Sequence, residues 1–302
     1  MERLKVSVGG LDLKTPLILA SGCAGYGTEW DGLVDTDAIG AVVLKGVSLT
    51  PWAGNPPPRV TEVAGGVVNA IGLENVGLEV LMREKLPALD GAPFRVVANV
   101  VGRTTREYIE CCAALNDADR VDAVELNVSC PNVKQGGLAF GAEPASLRSL
   151  VRDCRDVALK PLWVKLPPMV TDVVALAKAA AAAGADALTI ANTIPAMVID
   201  IQRRRPVLGN VYGGLSGQVV APVNIRLVHR VRQTVAADII GSGGIVDWET
   251  AVAYVLAGAK GLQVGTLLFS EPSAVSAIAA RLVEYLDQQG FEDLTAAVGA
   301  LG

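Results

Sequence analysis

Eight short apolar segments recur along the chain and alternate with stretches of helical pattern. The segments are rich in β-branched residues and leucine and are apolar at consecutive positions, which is typical of strands buried on both faces. They are Leu17–Ala20, Ala41–Leu44, Arg95–Val100, Ala123–Leu126, Leu162–Leu166, Ala187–Ile190, Asp238–Gly241 and Gly261–Val264. The helical stretches between them include Arg106–Leu115, Pro144–Val157, Val173–Ala183, Val223–Val235 and Trp248–Ala257.

This alternation predicts a parallel α/β sheet, and eight such units predict that the sheet closes as a (β/α)8 TIM barrel. An open doubly wound sheet is the alternative. No linker or composition break divides residues 1–302, so we expect a single barrel domain. A Gly-Gly pair inside residues 4–13 predicts an N-terminal β-hairpin. The long connections 46–93 and 193–222 are predicted to be active-site loops, because loops of this length are usually functional.

Composition and charge narrow the functional classes. The net charge is −5 and no basic run exceeds Arg203-Arg204-Arg205, which argues against nucleic acid as a partner. No apolar run approaches the roughly 20 residues of a membrane span. The five cysteines have no metal or iron–sulfur spacing, so we expect no metal on this chain. Without a signal peptide, this odd number of cysteines predicts a cytoplasmic location.

Polar residues stand where the predicted strands end, and a barrel of this type builds its active site from those ends. In chain order they are Ser21, Lys45, Asn99, Asn127, Lys165, Asn192 and Thr193. Taken singly, a lysine with its ammonium at the surface or an asparagine in a turn explains each of them. Two lysines and three asparagines on one rim together predict a binding site, because buried polar groups need partners.

Glycine-rich segments follow the last two predicted strands, at Gly241–Ile245 and Val264–Thr266. Barrels commonly hold a phosphate at these two strands, where glycine lets backbone N–H groups approach the ligand. Simple turn glycines are the alternative. Together with Lys45 and Lys165, the two loops favour a mononucleotide such as FMN. Lys165 would then stabilise negative charge on the reduced flavin.

The fourth predicted strand leads into Asn127-Val128-Ser129-Cys130-Pro131-Asn132, where a thiol stands between carboxamides. Pro131 ends any strand or helix interior, so the chain must turn just after the thiol. We expect Cys130 to act as the base that accepts a proton from an acidic C–H group, with Lys45 favouring its thiolate. A buried structural thiol is the alternative. The glycines of residues 133–141 predict a lid over the site.

The segment from Asn127 to Gly141 resembles the catalytic loop of class 1 dihydroorotate dehydrogenases, and its Lys134 followed by Gly136-Gly137 resembles the class 1B branch. Further matches are Asn69–Asn75, Ala191-Asn192-Thr193, Gly213–Gly217 and the two glycine-rich loops, so that the resemblance runs from about Val6 to about Phe269. It implies FMN-dependent oxidation of dihydroorotate to orotate in pyrimidine biosynthesis. Cys130 would take the C5 proton while hydride passes from C6 to flavin N5.

The resemblance also assigns residues to each ligand. FMN binding is implied for Ser21, Lys45, Gly46, Asn99, Asn127, Lys165, Ala191, Gly217, Gly243, Gly244, Gly265 and Thr266. Substrate binding is implied for Lys45, Asn69, Ala70, Ile71, Gly72, Leu73, Asn127, Asn132, Asn192 and Thr193. An amide-rich set suits a substrate ring that carries ureido N–H and C=O groups and a carboxylate.

The class 1B resemblance implies a partner subunit with FAD and a [2Fe–2S] cluster, which passes electrons to NAD, and a homodimer core within a heterotetramer. The chain has no cluster ligands and no dinucleotide-binding Gly-x-Gly-x-x-Gly after a first strand. Four alternatives stay open: a class 1A-type enzyme that uses fumarate, an FMN barrel reductase acting on another pyrimidine or on tRNA, a flavin-free phosphate-binding barrel, and a scaffold subunit. The acidic charge counts against the tRNA enzyme.

Overall fold

Eight parallel strands close into a barrel at the centre of the molecule. The computed structural model describes residues 1–129 and 141–301. Its strands are β1 (Val6–Val8), β2 (Leu11–Leu13), β3 (Leu17–Leu19), β4 (Ala41–Val43), β5 (Val60–Val63), β6 (Gly66–Asn69), β7 (Arg95–Val100), β8 (Ala123–Asn127), β9 (Leu162–Leu166), β10 (Ala187–Ile190), β11 (Ile194–Met197), β12 (Ile199–Asp200), β13 (Arg205–Pro206), β14 (Tyr212–Ser216), β15 (Asp238–Ser242) and β16 (Gly261–Val264). The barrel runs β3-β4-β7-β8-β9-β10-β15-β16 and returns to β3. The predicted TIM barrel is confirmed, and the open sheet is excluded.

Each predicted apolar segment contains or nearly matches a barrel strand, because burial on both faces leaves a continuous apolar run. β7, β9, β10 and β16 have the predicted bounds. The register places Asn99 opposite Glu125 and Asn127 opposite Lys165, which in turn lies opposite Thr189. Polar side chains of neighbouring strands therefore meet near the C-terminal ends of the barrel.

A ring of helices surrounds the barrel. The helices are α1 (Leu78–Val80), α2 (Thr105–Ala114), α3 (Pro144–Arg155), α4 (Val173–Ala182), α5 (Ala221–Arg232), α6 (Trp248–Ala257), α7 (Ala274–Gln289) and α8 (Leu294–Ala297). Side chains cap several of them, and Thr104, Asp172 and Asp247 each accept a hydrogen bond from a backbone N–H of the first turn. The five predicted helices are found within three residues of their expected bounds. No helix was predicted over Ala274–Gln289.

The predicted N-terminal hairpin is β1 paired with β2, and it lies at the N-terminal end of the barrel. The Gly9 carbonyl accepts a hydrogen bond of 2.9 Å from Nε1 of Trp163, and the Gly9 N–H donates to Asp238 at 2.9 Å. Gly9 has a φ of +51°, and a Cβ there would lie 2.4 Å from Trp163 Nε1. Only glycine fits this close approach of the hairpin to the barrel.

The two long connections hold strands, where the sequence predicted loops. β5 and β6 from the first connection join β11 and β14 from the second in one antiparallel sheet, here called the accessory sheet. Its small core consists of Val68, Ala70 and Leu208. These strands were not predicted, because each is only four or five residues long, β14 contains two glycines, and β6 and β14 pair across 145 residues.

Candidate active site

Buried polar side chains fill the barrel interior near the C-terminal strand ends. The Glu125 carboxylate, which is fully buried, accepts hydrogen bonds from Asn99 Nδ2 at 2.8 Å, Thr189 Oγ1 at 2.6 Å and Gln263 Nε2 at 2.8 Å. The other end of Gln263 is engaged as well, since its Oε1 accepts from Lys165 Nζ at 3.2 Å. The Glu125 carboxylate and the Lys165 ammonium are thus linked through the Gln263 amide inside the barrel.

The same hydrogen-bonded set continues upward to the rim. Asn127 Nδ2 donates to Asn99 Oδ1 at 3.3 Å, and Asn127 Oδ1 accepts from the Ser129 hydroxyl at 3.0 Å. Ser129 Oγ in turn accepts from Asn192 Nδ2 at 2.6 Å, and Asn192 Oδ1 accepts from the N–H of Thr193 at 2.8 Å. The predicted residues at the ends of the third, fourth and sixth barrel strands therefore form one connected group.

The accessory sheet brings Asn69 to this group. Gly214 of β14 is paired with Asn69 of β6, and Asn69 Nδ2 donates to the Gly214 carbonyl at 3.3 Å. A Cβ on Gly214 would lie 2.0 Å from Thr193 Oγ1, so the backbone of β14 passes directly against Thr193. Asn69 and Thr193, which lie more than a hundred residues apart, are therefore held by the same strand.

The predicted substrate segment Asn69–Leu73 is held from several sides. The N–H of Asn55 donates to the Ile71 carbonyl at 3.0 Å, and Asn75 Nδ2 donates to the Leu73 carbonyl at 2.9 Å. Leu73 has a φ of 56°, a left-handed conformation that is costly for a residue with a side chain. Such conformations persist only where the surroundings impose them, and they cluster at functional sites.

The glycine loop after β15 is shaped by two side chains from the helices. Asn224 Nδ2 donates to the Ser242 carbonyl at 2.9 Å, and the Tyr254 hydroxyl donates to the Gly243 carbonyl at 2.6 Å. Gly243 and Gly244 have φ of +102° and +77°, and a Cβ on Gly244 would lie 2.7 Å from Ala221 at the start of α5. The loop therefore lies against a helix N-terminus, where an anion is favoured.

Among the described residues, no hydrogen bond engages the N–H groups of Gly243, Gly244 or Gly265. Gly265 follows β16, and Thr266 begins the 3₁₀ turn Thr266–Phe269. A Cβ on Gly265 would lie 3.3 Å from the Cys23 sulfur, so this second glycine loop lies beside the chain that leaves β3. Both glycine loops predicted to bind phosphate therefore offer free backbone donors at the rim.

Other predicted cofactor residues lie around the first three strand ends and the sixth. Ser21 and Lys45 each follow a barrel strand by two residues, and the Lys45 N–H donates to the Gly25 carbonyl at 2.7 Å. A Cβ on Gly46 would lie 3.1 Å from Asn99 Oδ1. Ala191 directly follows β10 and its N–H donates to the Ser242 carbonyl at 3.2 Å.

Gly217 has a different structural context from the other predicted glycines. Its φ is +102°, and a Cβ there would lie 2.5 Å from the Gly66 Cα. The close approach that the structure shows at Gly217 is to the turn between β5 and β6. Its assignment to FMN, like the roles of the other site residues, stays a prediction.

Lys165 and Cys23 define the electrostatics of the interior. Lys165 is only 5% exposed, and within the described chain its ammonium forms no ion pair. Burial raises the pKa of the Cys23 thiol to about 11, and the positive charge of Lys165 opposes this rise. A buried cation without a carboxylate partner is costly, so the site is prepared for a ligand that carries or develops negative charge.

Some predicted residues cannot be placed. Cys130, Asn132 and residues 133–140 of the predicted lid lie outside the described residues. The described residues on either side of this segment lie close together, since a Cβ on Gly141 would lie 2.1 Å from the Val128 carbonyl oxygen. Gly141 therefore lies beside Val128, just after the fourth barrel strand.

Sequence reasoning missed part of the network. Glu125, Thr189 and Gln263 lie inside apolar strands and were read only as parts of strands, and Ser129 was read only as part of a loop. The available signal was a charged or amide residue within an otherwise apolar run, since such a residue is buried only when it is hydrogen-bonded. Asn224 and Tyr254 carried no such signal, because they belong to helices.

Among the side chains that the structure describes, no group of three or more His, Cys, Asp or Glu is placed to hold a metal ion. No helix in the described ranges has the length and apolar character needed to cross a membrane.

Comparison with known proteins gives a consistent result. A family profile described as dihydroorotate dehydrogenase matches residues 3–286. Three relatives carry the name dihydroorotate dehydrogenase B (NAD(+)), catalytic subunit. The protein from Desulforudis audaxviator is 48% identical over 98% of this chain and 96% of its own length. Those from Geotalea daltonii and Geobacter sp. strain M21 are 47% and 46% identical, each over 99% of this chain and 98% of its own length.

Proposed function

Since this chain belongs to the dihydroorotate dehydrogenase family, we propose that it is the catalytic subunit of an NAD-linked enzyme that oxidises dihydroorotate to orotate in pyrimidine biosynthesis. The membership predicted from the sequence is confirmed. The proposal treats residues 1–302 as a single FMN-binding barrel domain in the cytoplasm. The observation that carries it is the buried Lys165 beside the amide network at the barrel mouth.

The residues at the mouth fit FMN. Free N–H groups of Gly243, Gly244 and Gly265, with Thr266, suit the phosphate, and the loop of Gly243 lies against a helix N-terminus. Lys165 offers a buried positive charge to the ring. Bound flavin supplies the hydride acceptor of the reaction. The proposed FMN residues are Ser21, Lys45, Gly46, Asn99, Asn127, Lys165, Ala191, Gly217, Gly243, Gly244, Gly265 and Thr266.

Four of the proposed substrate residues are linked by hydrogen bonds or strand pairing at the same mouth. Asn127, Asn192 and Thr193 belong to one hydrogen-bonded group, and Asn69 is joined to it through Gly214. An amide side chain offers a donor and an acceptor side by side, which matches the alternating N–H and C=O groups of a ureido ring. The remaining members of the set are Lys45, Ala70, Ile71, Gly72, Leu73 and Asn132. Lys45 would pair with the substrate carboxylate.

Cys130 is proposed as the base that removes the C5 proton of dihydroorotate. Support comes from the sequence and from the neighbouring Ser129, whose hydroxyl belongs to the network. A thiolate can accept a proton from carbon, whereas a neutral serine hydroxyl is a far weaker base. Lys45 would favour the thiolate of Cys130, and Lys165 would stabilise negative charge on the reduced flavin.

The word "subunit" in the relatives' names supports a partner protein. The finer proposal is an FAD and [2Fe–2S] subunit that passes electrons to NAD, on a homodimer core within a heterotetramer. Exposed apolar side chains of the second long connection support a protein-binding surface. They include Met197, Ile199, Ile201, Val211 and Tyr212.

The first experiment is the visible spectrum of the purified chain, recorded before and after anaerobic addition of dihydroorotate. We expect a flavin spectrum that bleaches. A flavin that does not bleach would contradict the substrate, and a colourless chain that takes up no added FMN would contradict the cofactor. Reoxidation by fumarate in the absence of a partner would contradict the NAD-linked assignment.

A Cys130→Ser variant tests the base directly. It should keep the flavin but bleach with dihydroorotate at least 100-fold more slowly at neutral pH, with partial recovery toward high pH. Cys23→Ser is the matched control, because a thiol with a pKa of about 11 is protonated at neutral pH and cannot serve as the base. Unchanged bleaching in Cys130→Ser would remove Cys130 from this role.

A further inference from the structure

The Glu125 carboxylate occupies an unusual position for a buried charge. It lies in the middle of β8 with no exposed surface, and within the described chain it forms no ion pair. Its partners are instead three neutral donors from β7, β10 and β16, namely Asn99, Thr189 and Gln263. Retaining an acid at this depth is costly unless all its acceptor sites are used.

An ionised carboxylate only accepts hydrogen bonds, and this fixes the direction of its amide partners. Asn99 must turn its Nδ2 toward Glu125, so its Oδ1 faces away and accepts from Asn127. Gln263 must turn its Nε2 toward Glu125, so its Oε1 faces away and accepts from Lys165. Lys165 has donors only and favours the same orientation of Gln263, so the acid and the ammonium hold this amide from its two ends.

The direction set at Glu125 continues to the rim. Because Asn127 donates to Asn99, its Oδ1 is left to accept the Ser129 hydroxyl. Ser129 Oγ therefore accepts from Asn192 Nδ2, and Asn192 Oδ1 accepts from the backbone of Thr193. At the rim the same directions are supported by backbone donors, since the N–H groups of Ser129 and Thr193 donate to Asn127 Oδ1 and Asn192 Oδ1.

We propose that Glu125 is a positioning residue that holds Asn99 and Gln263 in one donor direction beneath the barrel mouth and, through Gln263, orients Lys165 toward the flavin. The inference rests on the proposed function, because FMN is the ligand against which these groups are oriented. Glu125 itself touches neither ligand in this arrangement. It acts from beneath the site.

The test replaces Glu125 with its neutral isostere. Glu125→Gln replaces one carboxylate oxygen with an NH₂ group, which then faces the NH₂ group of either Asn99 or Gln263. That side-chain amide must rotate to turn its oxygen toward position 125. We expect the affinity of the apoprotein for FMN, titrated by flavin fluorescence, to fall about tenfold, as one misdirected buried hydrogen bond would give. The reduction potential of bound FMN should also fall, because Lys165 loses its orientation. Thermal unfolding of the apoprotein should change little.

A double variant separates the effect of hydrogen-bond direction from the effect of the carboxylate charge at position 125. In Glu125→Gln with Gln263→Glu, the carboxylate moves to β16, where it can accept from Lys165 and from the amide at position 125. That amide then keeps its oxygen toward Asn99. We expect FMN affinity to return to within about threefold of the parent, because each donor again meets an acceptor.

Two further variants keep the proposal testable if Glu125→Gln fails to fold. Gln263→Met cuts the link to Lys165 but leaves Glu125 bound to Asn99 and Thr189, and it should lower the flavin potential. The control Thr189→Val removes one donor without reversing any amide, so its effect on the potential should be smaller.

The proposal would be overturned if Glu125→Gln bound FMN with the affinity and reduction potential of the parent chain. It would also be overturned if the reduction potential of bound FMN did not change in Gln263→Met. A double variant that binds FMN no better than Glu125→Gln alone would contradict it as well. A parent chain that binds no FMN would instead contradict the proposed function. The two failures are therefore distinguishable.

Discussion

The two ends of the barrel treat charge in opposite ways: charged groups at the N-terminal end are partly exposed and paired, whereas those at the C-terminal end are buried and unpaired among the described residues. At the N-terminal end, aspartates at the strand starts accept from a backbone N–H of a neighbouring strand or of the hairpin and also pair with a cation. These pairs are Asp122 with Arg95 at 3.0 Å, Asp186 with Arg155 at 3.0 Å and Asp238 with Lys260 at 2.6 Å. This end is electrostatically complete without a ligand.

At the C-terminal end, Glu125 and Lys165 are joined through the Gln263 amide, the one direct link between them among residues 1–129 and 141–301. No described ion pair neutralises either of them. Charged groups that form ion pairs within the chain contribute to the stability of the fold. Charged groups whose described partners are neutral amides can still interact with a charged ligand. Substitutions at the N-terminal end should therefore change the free energy of unfolding, and substitutions at the C-terminal end should change ligand chemistry.

The largest expected effect is on the reaction, in Lys165→Met. Loss of the buried ammonium should slow flavin bleaching by dihydroorotate about 1000-fold, as for the removal of a donor that stabilises developing charge. The free energy of unfolding of the apoprotein should change by less than about 1 kcal/mol, because a buried charge is exchanged for an apolar chain of similar volume. Stopped-flow absorbance and chemical denaturation measure the two quantities. A large fall in the free energy of unfolding with an unchanged bleaching rate would show that Lys165 serves the fold and not the reaction.

The next largest effect is on the free energy of unfolding, in the variant Gly9→Ala at the N-terminal end of the barrel. A Cβ would lie 2.4 Å from Trp163 and 2.5 Å from Ala187, so the hairpin must move off the barrel. We expect a loss of about 3 kcal/mol in the free energy of unfolding. The matched control is Gly290→Ala, where φ is also positive at +71° but no atom lies within 4 Å, and the cost should be about 1 kcal/mol. Equal losses in the two variants would remove the close approach as the cause.

Asp122→Asn should have a smaller effect on stability. The Asp122 carboxylate accepts from the Val96 N–H at 2.8 Å and from Arg95 and Arg120 at 3.0 and 3.3 Å. Losing its charge should cost about 2 kcal/mol, the scale of a charge-assisted hydrogen bond. Denaturant unfolding gives this value. A parallel measurement should find FMN affinity unchanged, and a fall in that affinity would show that the two ends are not independent.

The smallest effect concerns the Cys23 thiol beside Lys165. Its pKa is raised from 9.0 to about 11, which lowers the reactive thiolate fraction about 100-fold at pH 8. Alkylation of Cys23 by iodoacetamide, followed by peptide mass spectrometry, should therefore accelerate about tenfold per pH unit up to about pH 11. Lys165→Met should slow it further, because the ammonium favours the thiolate. A plateau near pH 9 would contradict the effect of burial.

Much of the fold followed from local sequence patterns. Continuous apolar runs located the eight barrel strands, and the Gly9-Gly10 pair located the hairpin. Polar residues at strand ends located the rim, because a barrel places those ends together. The long connections were misjudged, since β14 contains Gly213 and Gly214 and has little intrinsic preference for a strand.

The sequence by itself determined the barrel, its bounds and the residue types at its mouth, because burial and turn chemistry act within a few residues. Only the tertiary structure decided which of these residues meet. The hydrogen bond from Asn69 to Gly214 spans 145 residues, and that from Gln263 to Glu125 spans 138. Such contacts depend on the register of the closed barrel, which sums many strand pairings and has no local signature.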